Sequence, residues 1–415
     1  MSRSAVENLN YQRKRTPSDG VLLTGVTGFL GAELLARYLE QTERPIYALV
    51  RGASERAVAA RLESTLRCLF GVDHPYAHRV HAVRGDITSP NLGLGRRREA
   101  LAERVGEIVH GAASVSFTTG LDESRAINVK GTRRMLEFAR HCEARGGLRR
   151  FTYVSTAYVA GEHSGCFSED ELDVGQRFRN PYERSKFEAE RLVAQAHEDL
   201  SITVARPSII VGERGSGWTS SFNVLYWPLR VFSRGAYVAV PARGCSPVDV
   251  VSVDYVADAI FALSQARQAV GGTFHLTAGR HASNVAELVG LASSFFERPA
   301  PKLIEPTLYR RVVHPLLIAA ARDQRSRRSL QRSEVFFPYF AARVSYDDRH
   351  ARALLHPTGI EPSPLRDYFD RLVEFALLAS WGARQIPRCG GVVALSSARR
   401  AHRRTRAREP LVLAG

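Results

Sequence analysis

The chain contains few cysteines: Cys68, Cys142, Cys166, Cys245 and Cys389, with no close pair and an odd total. This scatter excludes a disulfide framework and a zinc knuckle, both of which need grouped thiols, and it fits a reducing compartment. Long apolar runs are also missing. "PLLIAAA" at 315–321 and "FALLAS" at 375–380 fall far short of the ~20 residues a membrane span requires. The opening "MSRSAVENLNYQRKRTPSDG" carries no apolar signal segment. Together these absences predict a cytoplasmic chain that at most touches a membrane surface, with no metal site.

What is present is an ordinary globular composition, 44% hydrophobic and 24% charged, over 415 residues. That length can bury a substantial core and predicts two tightly joined units. The formal charge of +16 is concentrated partly in "RDQRSRRSLQR" at 322–332 and "ARRAHRRTRAR" at 398–408. Such a field attracts phosphorylated cofactors, coenzyme A, acidic carrier proteins, anionic lipid and nucleic acid alike. The basic tail lacks interleaved aromatics and any sequence-reading motif, which counts against nucleic acid.

From residue 20 the chain alternates short apolar runs with helical periodicity. "VLLTG" reads as a buried strand, "FLGAELLARYLEQ" as a helix, "PIYALVR" as a strand, "AVAARLESTLRCLF" as a helix, and "RVHAVRGDI" and "EIVHGAA" as further strands. A helix around Val129–Cys142 leads into "RRFTYVST", and a helix over 182–198 into a single strand "ITVARPSIIVG". This rhythm predicts an α/β fold, a doubly wound parallel sheet of the Rossmann type, with a smaller, mostly helical substrate lobe. The expected divisions are a loose leader over 1–19, the Rossmann domain over 20–212, a lobe segment over 213–243, a return to the first domain over 244–280 with a helix capped near Asp254, the main lobe over 281–384, and a basic tail over 385–415.

Gly25, Gly28 and Gly31 stand directly between the first strand and the first helix. Without side chains there, the turn can be tight, a pyrophosphate can approach the backbone, and the helix N-terminus presents free amides to it. The second strand ends in Arg51, where an acid would hold two ribose hydroxyls and an arginine suits a 2′-phosphate, so NADPH is favoured over NADH. Asp86 can accept from an adenine amino group, or cap a turn. "HGAAS" at 110–114 supplies small residues, Ala112 and Ala113 among them, where a strand end passes close to a ribose.

Tyr182 and Lys186, four residues apart at a predicted helix start, share one face. A phenol is a poor acid or base near neutrality. A neighbouring ammonium is expected to lower its pKa so that the pair exchanges a proton with a carbonyl or alkoxide oxygen, with the Thr156 hydroxyl holding the same oxygen. Ser155 alternates with Thr156 along the strand end, so only one of the two faces a substrate.

"TGVTGFLG", "GDIT", "HGAAS", "NVKGTRRML", "YVSTAYVAG", "NPYERSKFEAERLV" and "RPSIIVG" resemble the signatures of the extended short-chain dehydrogenase/reductase superfamily, and more narrowly its thioester reductase and fatty acyl-CoA reductase branch, the male-sterility type. The resemblance spans about 20–280. It implies Thr156, Tyr182 and Lys186 as catalytic residues, with Asn128 and Ser155 in support. It also implies a dinucleotide site that takes in Thr24, Gly25, Thr27, Gly28, Phe29, Leu30 and Gly31 from the loop. Arg51, then Asp86 and Ile87, then Ala112 and Ala113, line the strand ends, and Lys186, Pro207 and Ser208 the nicotinamide side. The implied reaction is NADPH-dependent reduction of an acyl thioester, carried by coenzyme A or an acyl carrier protein, to an aldehyde or onward to an alcohol.

The chain itself is expected to hold no adenylation or carrier domain, so an activated substrate is expected to arrive already made. Apolar and aromatic side chains in 218–240 and 336–340 can line a groove for an acyl chain, or form an ordinary core. The same chemistry would serve an alcohol or ketone dehydrogenase, or an epimerase. A non-enzymatic NADP sensor or scaffold is the remaining reading, and the basic clusters would suit an anionic membrane surface.

Overall fold

Seven short runs, most of them rich in Val, Ile, Leu and Ala, assemble into one parallel sheet: β1 (Gly20–Thr24), β2 (Ile46–Val50), β3 (Val80–Arg84), β4 (Val105–His110), β5 (Arg150–Val154), β6 (Ile202–Pro207) and β7 (Thr273–Leu276). The computed structural model of the chain describes residues 18–222, 224–235, 239–320, 337 and 339–389. The leader through 17, the basic run at 322–332 and the tail from 390 lie outside them.

The strand order is β7-β6-β5-β4-β1-β2-β3 and every adjacent pair is parallel. Both faces are covered, as continuous apolar strands require. Helices α1 (Phe29–Gln41), α2 (Glu55–Phe70) and α5 (Val253–Gln265) bury Leu34, Leu35, Tyr38, Val58, Leu62, Leu66, Val256 and Ile260 on one face. Helices α3 (Leu121–Gly146) and α4 (Pro181–Gln195) bury Met135, Leu136, Phe138, Ala189 and Val193 on the other. After β3 the chain crosses back to lay β4 beside β1. The order reverses there, and the carboxyl ends of β1 and β4 open a crevice.

Three elements differ from the sequence expectation. Helix α3 begins at Leu121, well before Val129, because its opening turns are mostly polar, with Ser124 and Asn128 as their buried residues, and show no apolar stripe. "ITVARPSIIVG" is two strands. The Ser208 amide donates to the Leu276 carbonyl at 3.2 Å and its hydroxyl to Asp249, and the chain then turns so that Ile209–Val211 pairs with Val250–Ser252. Asp254 lies inside the first turn of α5 and accepts from the backbone and guanidinium of Arg214 at 3.1 and 2.7 Å, while Ser252 holds the cap position.

The lobe core gathers Ile209, Leu225, Leu229, Phe232, Val285, Leu288, Phe369 and Leu372. Within 281–384, however, Arg343–Tyr346 pairs with Ser164–Phe167, and helix Arg349–Leu355 sends Ala351 and Leu355 into the core on the α1 face of the main sheet. That stretch of the expected lobe therefore packs on the first domain. Among the described residues no helix is long and apolar enough to cross a membrane.

One buried ion pair fixes α4 to the sheet. Glu190 of α4 receives Arg206 of β6 at 2.8 and 2.6 Å through one oxygen and the Ser155 hydroxyl through the other. Removing one member of a buried pair strands its partner's charge. Glu190→Ala should therefore lower unfolding free energy by about 3–5 kcal/mol, read by urea denaturation; a loss below 1 kcal/mol would show that water replaces the carboxylate.

Candidate active site

The site lies at the carboxyl ends of β5 and β6, where α4 begins. Asn180 caps α4 by accepting the Glu183 amide at 3.0 Å, and Pro181 follows at the position where a missing N–H costs nothing. That start places Tyr182 in the first turn and Lys186 one turn further on the same face. Ser155 and Thr156 diverge as strand alternation requires. Ser155 turns in to Glu190, whereas the Thr156 hydroxyl accepts the Tyr158 amide at 3.2 Å and lies 3.4 Å from the Pro207 carbonyl to which it donates. The Tyr182 phenol lies near enough to the same Thr156 hydroxyl for the hydroxyl to favour its ionised form.

Electrostatics here depart from expectation. Burial pushes the Tyr182 phenol up to about 12, against the smaller downward pull of Thr156. The ammonium of Lys186 does not lower it, because Nζ is turned to β5, donating to the Tyr153 hydroxyl and the Val154 carbonyl, each at 2.8 Å. Burial also brings Lys186 down to about 7, with Glu190 partly opposing. Tyr182 is thus held as a neutral proton-bearing phenol. Asn128 of α3 donates to the Ser114 carbonyl at 3.0 Å and to the Ser185 hydroxyl at 2.9 Å and accepts the Ser114 amide at 2.8 Å, tying the β4 loop to α4 beside Lys186.

On the opposite side of the crevice, Thr24 ends β1 and accepts the Ala112 amide at 3.1 Å. Gly25 follows at φ 82°, where a Cβ would lie 2.9 Å from the Ala112 nitrogen, and a Cβ on Gly31 would lie 2.1 Å from the Gly25 carbonyl. Gly28 caps α1 with no side chain bonded to the helix amides, which stay available to an anion. Thr27 is exposed beside this cap; Phe29 and Leu30 open the helix, Phe29 meeting the Trp218 ring at 5.9 Å. The cradle fits a dinucleotide pyrophosphate. Ala113 is half-buried in the loop after β4, and Pro207 and Ser208 close β6 next to Thr156.

Arg51 is exposed at the end of β2. A residue the sequence reading missed stands over it: Arg61, on α2, donates to the Arg51 carbonyl and, at 3.2 Å, to the Thr27 hydroxyl. Its position ten residues after Arg51 in a helix was the available signal. Asp86 follows its turn-capping alternative, accepting the Thr88 amide and hydroxyl at 2.8 and 2.7 Å through one oxygen, so only the other oxygen is left for a ligand. Ile87 is buried against Gly131.

Next to this cluster lies an apolar cavity lined by Leu225, Leu229, Phe232, Leu288, Phe340 and Val344, together with Tyr158 and Tyr339. The ring of Tyr339 stacks on Phe117 at 5.2 Å, and Phe117 meets Tyr182 at 5.7 Å. The Tyr339 hydroxyl donates to Glu183 at 2.8 Å and accepts from Asn180 at 2.6 Å, so the cavity wall is bonded to the first turn of α4. Asp249 is the one carboxylate among these lining residues, raised to about 6 by burial. Residues in 224–232 and 339–340 therefore line a cavity, as one of the two sequence readings anticipated, while Trp218 and Phe337 are core side chains. Nothing in the sequence singled out Phe117 or Tyr158.

Residues 23–260 match the family model of an NAD-binding domain described as "Male sterility protein". Isonitrile lipopeptide synthase of Streptomyces coeruleorubidus is 34% identical over 259 residues, which cover 61% of this chain and 17% of that protein. Fatty acyl-CoA reductase wat of Drosophila melanogaster is 29% identical over 244 residues, 51% of this chain and 47% of that protein. The chain thus spans less than half the length of either relative. Among solved structures, the terminal R domain from the myxalamid PKS-NRPS biosynthetic pathway superposes with a TM-score of 0.75 at 27% identity, covering 88% of this chain and 92% of that one. An R domain of a nonribosomal peptide synthetase from Mycobacterium tuberculosis shares the fold, at TM-score 0.66 and 23% identity over 90% and 96% of the two chains.

The cradle makes a prediction that needs no ligand. Gly31→Ala should force the Gly25 carbonyl aside and destabilise the chain by about 1–3 kcal/mol. Gly28→Ala, whose Cβ would meet only the Gly25 carbonyl at 3.2 Å, should cost well under that. Equal thermal unfolding of the two variants would contradict the packing described.

Proposed function

The chain belongs to the male sterility protein family, within the extended short-chain dehydrogenases/reductases, and on that premise we propose that it is an NADPH-dependent reductase of acyl thioesters. The observation that carries this reading is the meeting of the Thr156 hydroxyl and the protonated Tyr182 phenol, with buried Lys186 one helical turn away, between a dinucleotide cradle and an apolar cavity.

A bound reduced nicotinamide would supply hydride to the thioester carbonyl carbon. The chain's own groups do the rest. Thr156 and Tyr182 hold the carbonyl oxygen and stabilise the charge that grows on it. Tyr182, kept protonated by burial, then gives that oxygen its proton, and Lys186 stands ready to restore it. Collapse of the hemithioacetal releases thiol and aldehyde, and a second reduction would give alcohol.

The apolar cavity supports a long acyl chain, and Tyr158 and Tyr339 bring its wall to the reacting groups. Nucleotide sugars would leave their hydroxyls unpaired against such a wall. The carrier of the acyl group is coenzyme A or an acyl carrier protein, consistent with the chain's positive charge. For the cofactor, Arg51 and Arg61 place two guanidinium groups at the end of β2 and over the glycine loop, an arrangement suited to a 2′-phosphate.

Incubation with long-chain acyl-CoA and NADPH should yield free thiol together with aldehyde or alcohol; thiol without a reduced product would overturn the reading. Tyr182→Phe should cut turnover by about 100-fold or more while NADPH affinity, read by fluorescence, stays near its original value. Arg51→Glu and Arg61→Glu should each weaken NADPH more than NADH, and an unchanged preference in both would place phosphate recognition elsewhere.

A further inference from the structure

Lys186 meets a second phenol. Tyr153 of β5 is 1% exposed, and its hydroxyl accepts from Nζ at 2.8 Å while the ring centroid lies 4.3 Å from the same nitrogen. The Val154 carbonyl accepts a second proton at 2.8 Å. An ammonium is a tetrahedral donor of three protons, so two bonds fixed by one rigid strand leave the third a single direction.

Tyr153 is held in its turn. Its hydroxyl lies near that of Thr132 on α3, which favours the ionised phenol against the larger opposing effect of burial. Thr132 lies 3.2 Å from Nε2 of His110, whose Nδ1 lies 2.9 Å from the Thr24 hydroxyl at the glycine loop. Every member of this row is buried. A phenylalanine would fill the same space without the desolvation a buried hydroxyl incurs, so packing alone gives no reason for the oxygen.

We propose that Tyr153 is a positioning residue: its hydroxyl, backed by Thr132 and His110, clamps Lys186 together with the Val154 carbonyl and reserves the third N–H for the reactants. This rests on the reading of Lys186 as part of a reductase site. The charged and titratable groups around the lysine are Glu190 and Tyr182 on its own helix, Tyr153 on β5 and His110 on β4. His110 is lowered to about 3 by burial and so stays neutral. An acceptor on the ammonium favours its charged form, and removing that acceptor lowers the lysine pKa. A rate that needs the ammonium declines as pH rises through that pKa, so its alkaline limb moves toward acid.

The test begins without ligand. The chain's lysines are Lys14, Lys130, Lys186 and Lys302, so a 15N-lysine NMR titration can follow Lys186, its signal assigned by its loss in Lys186→Arg. In Tyr153→Phe the midpoint should fall by about half a pH unit or more, and Thr132→Val should give a smaller shift of the same sign. With acyl-CoA and NADPH, Tyr153→Phe should reduce kcat about tenfold or more, with KM within about twofold and the alkaline limb displaced to lower pH. An unmoved midpoint in Tyr153→Phe overturns the clamp, and a moved midpoint with unchanged kcat overturns its part in turnover. Absence of thioester reduction by the wild-type chain would defeat the functional reading, while the ligand-free titration would still decide the clamp.

Discussion

The buried carboxylate of Glu190 decides where everything else at the site can stand. One oxygen holds Arg206 on β6 and the other takes the Ser155 hydroxyl at the end of β5, so a single residue of α4 is bonded to two adjacent strands. With Ser155 drawn inward, strand alternation turns Thr156 the other way, toward Tyr182. With α4 fixed against the sheet, Lys186 reaches the strand backbone. Two charges in the interior are costly to desolvate, and here their cost is offset by geometry that satisfies both.

Burial then sets the protonation states. The same removal from water raises the phenol of Tyr182 and lowers the amine of Lys186, so at neutral pH the phenol keeps its proton and the lysine lies close to its own midpoint. An acid paired with a group that exchanges protons readily is what the proposed carbonyl reduction would ask of its protein. The nucleotide side contributes differently, through missing side chains and uncapped amides rather than through titration.

Much of this was legible in the sequence because it depends on local rules. The strand–glycine–helix unit, the four-residue spacing of Tyr182 and Lys186, and the alternation of Ser155 with Thr156 all follow from chain geometry over a few residues. The direction of the Tyr182 shift was not legible: adjacency along α4 implied that the ammonium would act on the phenol, but Tyr153, distant in sequence, takes that ammonium instead. The break at Ser208 was hidden for the same reason, since its partners Asp249 and Leu276 come from later segments. Tyr158 and Tyr339 come from separated stretches, and only tertiary packing brings them into one wall, with Phe117 stacked on Tyr339.

That break at Ser208 has a mechanical side. The main sheet ends with Pro207, whose carbonyl receives the Thr156 hydroxyl, and the next residue already belongs to the path into the lobe, anchored on the Asp249 that also borders the apolar cavity. The path into the lobe therefore starts one peptide linkage from the Thr156 hydroxyl, with no loop between them. One peptide unit thus carries the Thr156 hydroxyl on its carbonyl side and the Asp249 carboxylate on the residue that follows.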